Sequence, residues 1–560
     1  DSADARRAAL AAINLCNLRE SVDVFPRMEK QTNAQRMEKI VSLCKRRGFI
    51  FQSSEIYGGL NGVWDFGPLG VELKRNLKDY WWRTMVHERE DVVGLDGAII
   101  TNRAVLKASG HEDTFSDPMS TCRHCKRLVR ADQAEAAVLD SNYAKSLESV
   151  FNNGKFTGAA ILRWAEKDGP RLAPNMAIVR NPQVTLSWLA EHFEEASAPL
   201  LEFEDFLRYL ATEQLNQTDL INPCPYCGGE LTAPRPFNLM FRTSMGAAED
   251  ENSLAYLRPE TAQSIFVQFR NVLDTSRKKL PFGIAQIGKA FRNEINPRNF
   301  IFRSREFEQM ELEYFCAPEQ GMQLLDYWLE ERLKFYDNIG IPRAKLHVLT
   351  VPDADRAFYS KGTYDIEYEF PFGVQELEGV AYRTDYDLTQ HQNASGKPLD
   401  YFNEETKERF VPHVVEPSAG VDRTILALIC EAYDEETVTD EKGKAEVRTV
   451  MRFHPRMAPI KVGVFPLLKN KPELVAKARE VHALLKPHMM AFYDEGGAIG
   501  RRYRRQDEAG TPFGLTIDFE TLGERGDELR DTVTLRHRDS MQQERVKIAE
   551  LLGRILPLVR

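Results

Sequence analysis

Four short stretches of this chain bring arginines and carboxylates together at close spacing. Gly288-Lys-Ala-Phe-Arg-Asn-Glu294 is followed, after a turn-rich loop, by Arg305-Glu-Phe-Glu-Gln-Met-Glu311. Tyr256-Leu-Arg-Pro-Glu-Thr-Ala262 lies upstream and Val415-Glu-Pro-Ser-Ala-Gly-Val-Asp-Arg423 downstream. Arginine forks neutralise phosphate oxygens, and grouped carboxylates complement an ammonium. Such groups suit a nucleoside triphosphate held against a zwitterion, which is the chemistry of activating an amino acid with ATP. There the attacking carboxylate is already an anion, so the site must align reactants and stabilise charge rather than supply a strong base.

The elements that position these residues read as strands and helices. Alternation in Ile284 to Glu294 puts Gln286, Gly288, Ala290, Arg292 and Glu294 on one face. In Arg305 to Phe315 it puts Phe307, Gln309, Glu311 and Glu313 on one face, with Met310, Leu312 and Tyr314 on the core side. The intervening Ile295-Asn-Pro-Arg-Asn-Phe300 predicts an antiparallel hairpin with a long loop. A polar face inside a sheet is costly unless it is wet or bound to something; the competing reading is a solvated outer face. Residues 36–50 read as a helix, and Leu73, Leu77, Trp81 and Met85 form an apolar stripe on another, beginning after Pro68.

At 560 residues and 42% hydrophobic content, the chain has room for several cores. Its net charge of −10 excludes a simple cationic nucleic-acid coat but allows local basic patches. No run reaches the roughly 18 apolar residues of a membrane span, so no membrane partner is expected. Residues 1–27 read as a disordered leader without assigned function. Cys122-Arg-His-Cys125 and Cys224-Pro-Tyr-Cys227 have zinc-ribbon spacing, and Gly228-Gly229 follows the second pair as in a metal knuckle. A structural Zn²⁺ on these four thiols is the expectation, thiols without metal the alternative, and His124 reads as a bystander.

The domain organisation expected is a first core part at 28–121, an insertion bounded by the cysteine pairs at 122–235, a second core part at 236–455 and a separate unit at 456–560. Helix-like pieces at Leu186 to Phe193 and Phe203 to Leu215 make the insertion largely helical. Residues 431–447 read as an exposed acidic hairpin. Beyond His454-Pro455, strands at 461–467, 489–493, 515–519 and 532–535 alternate with helices at 472–486, about 498–507 and 540–555, which predicts an α/β domain.

With Gly110-His-Glu-Asp-Thr-Phe-Ser-Asp-Pro118, Phe237-Asn-Leu-Met-Phe241 and Gly497-Ala-Ile-Gly-Arg-Arg-Tyr-Arg-Arg-Gln-Asp-Glu508 in the same order, the chain resembles the glycyl-tRNA synthetases of the dimeric single-chain type. These are class II aminoacyl-tRNA synthetases. The resemblance covers about Met28 to Ile555 apart from the insertion. It implies an α/β fold with an α+β catalytic core: a mostly antiparallel sheet flanked by helices, a helical, zinc-ribbon-like insertion and a C-terminal anticodon-binding domain. Pro68 and its helix look like class II motif 1, at the interface of a homodimer. Phe291 to Glu311 look like motif 2, and Gly420 to Arg423 like motif 3.

The resemblance implies a glycine–tRNA ligase of the cytoplasm with ATP, Mg²⁺, glycine and tRNA(Gly) as its partners. Arg292 is expected on the α-phosphate, Arg423 on the terminal phosphate at a helix N-terminus, and Glu376 on Mg²⁺. Asn293, Glu294, Phe302, Arg303, Ser304, Arg305, Glu306, Phe307, Leu377 and Gly420 complete the expected ATP site, with Glu294 meeting the adenine. Arg130, Glu260, Phe307, Gln309, Glu311, Glu416 and Ser418 are expected around glycine, where bulky carboxylates exclude a methyl group. Arg501, Arg502, Arg504 and Arg505 around Tyr503 are the expected tRNA contacts, with some turned inward because they span more than one helical turn. Two other readings remain: a class II synthetase for another small amino acid, and a non-catalytic synthetase-like nucleic-acid-binding protein. The second need not keep Arg292, Glu294, Glu376 and Arg423 together.

Overall fold

The computed structural model of the protein describes residues 32–152, 158–192, 203–212, 222–246, 250, 253–439 and 445–560. The leader expected at 1–27 lies outside them. Helix α1 (Asn33–Arg47) starts with a capping box, in which Thr32 and Gln35 exchange side-chain to backbone hydrogen bonds. Helix α2 (Pro68–Trp82) carries Pro at its first turn, where no N–H is missed. Its stripe of Leu73, Leu77 and Trp81, continued by Met85, is buried as the spacing predicted.

Seven strands form the central sheet. They are β1 (Val92–Gly94), β2 (Phe282–Phe291), β3 (Glu306–Cys316), β4 (Leu346–Thr350), β5 (Gly362–Phe370), β6 (Gly373–Thr384) and β7 (His413–Gly420). Their order is β4-β5-β6-β7-β3-β2-β1, and only the β2–β1 pairing is parallel. The predicted hairpin is β2–β3, registered with Gln286 opposite Glu311 and Gly288 opposite Gln309. Strand β2 ends at Phe291, so Arg292 and Glu294 sit on the loop beyond it rather than on the strand.

The two sheet faces differ sharply. Met310, Leu312 and Tyr314 join the main core with α2, α4 (Gly321–Ile339) and α5 (Val421–Ala432). On the other face α3 (Ala262–Ser276) packs Ile265, Phe266 and Phe269 against Phe282, Ile284 and Phe315. That apolar layer covers only part of the face, and the remainder is polar.

Between the cysteine pairs a short strand, Leu128–Arg130, is followed by a mainly helical segment, with Tyr143, Leu147, Trp164, Ile178, Phe206 and Leu210 in a core of their own. Its helices include Pro182–His192 and Phe203–Ala211. The hairpin expected at 431–447 is β8 (Tyr433–Thr439) and β9 (Ala445–Met451). It is only partly exposed: Arg448, Val450 and Met451 are buried.

The C-terminal unit has α6 (Pro472–Leu485), α7 (Ile499–Ala509) and α8 (Leu551–Val559) around a sheet of β10 (Val462–Pro466), β11 (Ala491–Tyr493), β12 (Phe513–Ile517), β13 (Thr532–His537) and β14 (Gln543–Lys547). The helix expected over 540–555 begins instead as β14. In Gln543-Glu-Arg-Val-Lys547 only Val546 is buried, so this edge strand offers little apolar alternation to read.

Candidate active site

Strands β3, β5, β6 and β7, the loop after β2 and the start of α5 enclose a cavity of about 360 Å³. Arg292, Glu294, Phe302, Arg303, Ser304, Phe307, Gln309, Glu376, Leu377, Glu416, Ser418, Gly420 and Arg423 all line it. Three of the sequence stretches thus converge on it, because β3 lies between β2 and β7 and presents one polar face to both, and the fourth joins through the Thr261 hydroxyl, which donates to Glu311.

At one end the groups suit phosphate and base. The Arg292 guanidinium lies between the rings of Phe115 and Phe307, 5.3 and 5.4 Å from their centroids. Its Nε donates to the Pro259 carbonyl at 3.1 Å, which fixes the fork. Glu294 accepts from Arg303 Nε at 2.7 Å. Arg423, in the first turn of α5, lies 4.5 Å from the Phe302 ring and pairs with Glu376 at 3.1 Å. Nearby Asp365 is pushed up to about 6 by burial and by the charges of Glu376 and Glu367, against the pull of Arg423.

Around Glu416 at the other end carboxyls gather, of which Glu311 and Glu260 are not among the residues lining the cavity. Glu311 accepts from Ser418 Oγ at 2.8 Å and from the Thr261 hydroxyl. Glu416, on β7, is held by Arg383 Nη1 at 3.0 and 2.9 Å. Glu260 lies 3.3 Å from His111 and accepts from Gln263 at 2.9 Å. Burial works to raise Glu260, but His111, Arg383 and Gln263 outweigh it and hold the carboxyl well below its usual range. Burial, then the charges of Glu416 and Glu260, push Glu311 up to about 8. Burial also raises Glu416 against the pull of Arg383.

Gly288 has a steric reason to lack a side chain. A Cβ there would come within 2.1 Å of Arg258 Nη2. Arg258 crosses β2 at this point to donate to the Lys289 and Gly97 carbonyls, at 2.7 and 2.8 Å.

Some expected residues do not face the cavity. Arg305 donates to the carbonyls of Glu294 and Asn61, at 2.9 Å each, and so ties the loop after β2 to the segment before α2. Glu306 pairs with Lys289, and Asn293 bonds through its backbone to Leu239. Arg130 is placed away from the carboxyl end. It pairs with Asp117 and Asp132 at 3.1 and 2.7 Å, and its further electrostatic neighbour is Glu294, on the nucleotide side.

Of the arginines on α7, Arg502 is buried, donating to the Pro466 carbonyl at 2.6 Å, and is unavailable to a nucleic acid. Arg505 is tied to Asp494 and the Gly496 carbonyl. Tyr503 packs on Phe465 and bonds Thr516 at 2.6 Å instead of presenting a ring for stacking. Arg501 is exposed and Arg504 half-exposed.

Sequence reasoning missed Arg383, Asp365 and the roles of His111 and Thr261. His111 and Thr261 lie inside stretches already singled out, beside the residues they hold. Arg383 lies at the end of β6, four residues before Asp387 on the next helix, so neither strand alternation nor helix spacing marks the pair.

Away from this cavity, the four cysteines converge. Cys122 Sγ lies 3.6 Å from Cys227 Sγ and Cys125 Sγ 3.7 Å from Cys224 Sγ, too far for disulfides. Gly228 turns the knuckle at φ +72°, where any Cβ would meet Ala173 and Met176. His124 faces Arg180 and is not one of the group.

Comparison with known proteins agrees with this geometry. Residues 241–433 match the tRNA synthetase class II core domain (G, H, P, S and T), and residues 461–557 match an anticodon binding domain. A glycine–tRNA ligase of Rhodopirellula baltica is 45% identical over 559 residues, covering 93% of this chain and 98% of its own. The glycine–tRNA ligase of Thermus thermophilus is 45% identical over 540 residues, with 93% and 98% covered, and that of Thermobifida fusca 45% over 523, with 92% and 97% covered. The chain belongs to the glycine–tRNA ligase family of class II aminoacyl-tRNA synthetases.

Proposed function

We propose that the chain joins glycine to ATP, giving glycyl-adenylate and pyrophosphate, and passes glycine on to the terminal adenosine of tRNA(Gly). The observation that carries this reading is that Glu416 and Ser418 line one end of the cavity, with Glu311 hydrogen-bonded to Ser418 just behind it, while Arg292 and Arg423 line the other. An ammonium held by the carboxyls would direct glycine's own carboxylate towards the α-phosphate beside Arg292. Arg292 stabilises charge there as the bond to pyrophosphate breaks, and Arg423 holds the terminal phosphate. Phe302 and Phe307 flank the base, and the Glu294 oxygen not used by Arg303 is free to accept from an adenine amino group. Arg130 belongs on this reading at the nucleotide end rather than at glycine.

Glu376 and Asp365 fit a divalent cation. They are partly solvated carboxyls in one cavity, and burial, then the charge of Glu376, lifts Asp365. Mg²⁺ bound there would neutralise phosphate charge. The cysteine group fits zinc: its 3.6 and 3.7 Å edges approach the roughly 3.8 Å of a tetrahedron with Zn–S bonds of about 2.3 Å. Zinc there would brace the insertion, which metal content of the purified chain tests. Arg501 and Arg504 are the remaining candidates on α7 for tRNA phosphates.

Exposed Ile56, Tyr57 and Leu60 just ahead of α2 support a homodimer through that face, which sedimentation tests. Among the described residues no helix is long and apolar enough to cross a membrane, and the reading places the enzyme in the cytoplasm. ATP–pyrophosphate exchange across the twenty amino acids tests the function. Glycine alone should support exchange, and exchange driven by alanine, or by none of them, refutes the assignment.

A further inference from the structure

One carboxyl of the site has no role so far. Glu313 is fully buried on β3, on the same face as Glu311 and one step further from the cavity. Beyond it lies the apolar layer of Phe266, Phe269, Phe282 and Phe315. Among the described residues neither of its oxygens has a hydrogen-bond partner, yet Glu311, Glu313 and Glu416 each bring a carboxyl oxygen within 4.8 Å of the others.

An ionised carboxylate without partners at such a place is untenable, since buried charge must be paired or neutralised. Counting charge leads to the same point. Glu260, Glu311, Glu313, Glu416 and Asp387 face the guanidiniums of Arg383 and Arg258 and the imidazole of His111. Five acids against at most three cations leave an excess of at least two, which a single incoming ammonium cannot cancel. Protons must remain in the group, and the first belongs where solvent and donors are most lacking. That position is Glu313, whose carboxyl is raised by burial first and then by Glu416. By contrast Glu311 is served by Thr261 and Ser418, and Glu416 by Arg383.

We propose that Glu313 is a positioning residue of the ammonium site: an un-ionised acid behind Glu311 and Glu416 that donates its O–H to one of them and leaves the lone pairs not taken by Thr261, Ser418 and Arg383 for the substrate. The donated bond orients that carboxylate, and the retained proton keeps the site's charge matched to a group of charge +1. Glutamine can replace such an acid, because its amide also donates and carries no charge. An ionised ligand of the ammonium could not be replaced in this way. The proposal rests on the placement of glycine at Glu311 and Glu416.

The test compares full-length Glu313→Gln, Glu313→Leu and Glu311→Gln in ATP–pyrophosphate exchange with glycine varied. Glu313→Gln should keep the glycine KM within about threefold of the parent, whereas Glu313→Leu, lacking a donor, should raise it about tenfold with kcat changed less than about threefold. Infrared spectra at neutral pH with glycine bound, when Glu311 has given up its proton, should contain an un-ionised carboxyl band that Glu313→Gln removes. A Glu313→Gln variant as impaired in KM as Glu311→Gln, or the absence of that band in the parent, would overturn the proposal. If Glu311→Gln left the glycine KM unchanged, the placement of glycine would fail, and the infrared band would still decide the state of Glu313. Glu313→Gln keeps the test valid if the leucine variant does not fold.

Discussion

Arg383 Nη1 donates to both oxygens of Glu416, at 3.0 and 2.9 Å, while Nε and Nη2 hold Asp387 at 2.8 and 2.9 Å. Tyr359 lies 4.2 Å from the same guanidinium, which is almost fully buried. One planar group thus fixes a carboxylate assigned to glycine and ties β6 to the helix that follows it. Removing it leaves Glu416 and Asp387 buried without a counter-charge. Arg383→Met should therefore cost about 3–5 kcal/mol in urea unfolding. Arg383→Lys should not restore the glycine KM, because a single ammonium cannot span both partners. Parent-like unfolding of the methionine variant would contradict this account.

Arg292 occupies a slot between two rings with its Nε already committed to a carbonyl, so its remaining N–H groups are aimed without reorganisation. Arg292→Ala removes donors needed only as charge moves onto the α-phosphate. Exchange should fall at least about a hundredfold, with unfolding close to that of the parent. Near-normal exchange in a folded Arg292→Ala protein would remove Arg292 from its assigned role.

Much of this arrangement was legible in the sequence, for a physical reason. Alternation on β3 puts Gln309, Glu311 and Glu313 on one face, with Arg292 and Glu294 close by just past the end of β2, and such a polar face inside a sheet is costly unless it is paired, wet or bound to a ligand. The four stretches therefore announced the site. What alternation could not show was which long-range partner satisfies each charge. Arg383 approaches Glu416 from across the β6–β7 pairing, and Arg258 reaches over β2. The α7 arginines illustrate the same limit. Their density suggested a nucleic-acid patch, yet Arg502 is consumed by backbone carbonyls that become neighbours only once β10 and α7 have packed.

Glu311 gives the site a definite pH response. Its carboxyl stands at about 8 against an ordinary 4.5, so between those values the folded protein holds a proton that the unfolded chain lacks. This contribution makes stability fall as pH rises through that window. An ammonium beside Glu311 favours the ionised form, so glycine binding expels the proton. The glycine KM should then fall as pH rises towards about 8, by up to about tenfold per unit, and level off above it. Pyrophosphate exchange at a series of pH values measures this, and a KM rising over the same range would contradict it.

The C-terminal unit is bound to the catalytic half through buried charge. Arg448 on β9 is fully buried and donates to Asp507 of α7 at 2.8 Å, and Arg536 of β13 donates to the same carboxylate at 2.9 and 3.2 Å. Arg448 also reaches the Arg538 carbonyl at 2.7 Å, and Arg47 of α1 pairs with Glu508. Deleting 456–560 would therefore strip partners from β9 and expose Met451 and Phe453, so loss of activity after truncation would not separate anticodon reading from stability. A single substitution separates them better. Asp507→Asn leaves two guanidiniums sharing one neutral amide and should cost about 3–5 kcal/mol. Because Asp507 lies far in sequence from the cavity-lining residues and shares no hydrogen bond with them, exchange should persist at temperatures where the variant stays folded. The orientation of the tRNA-reading unit should loosen, and aminoacylation should drop more than exchange does. Equal losses in the two assays would mean that the Arg448–Asp507 link supports the catalytic core itself rather than the placement of the C-terminal domain.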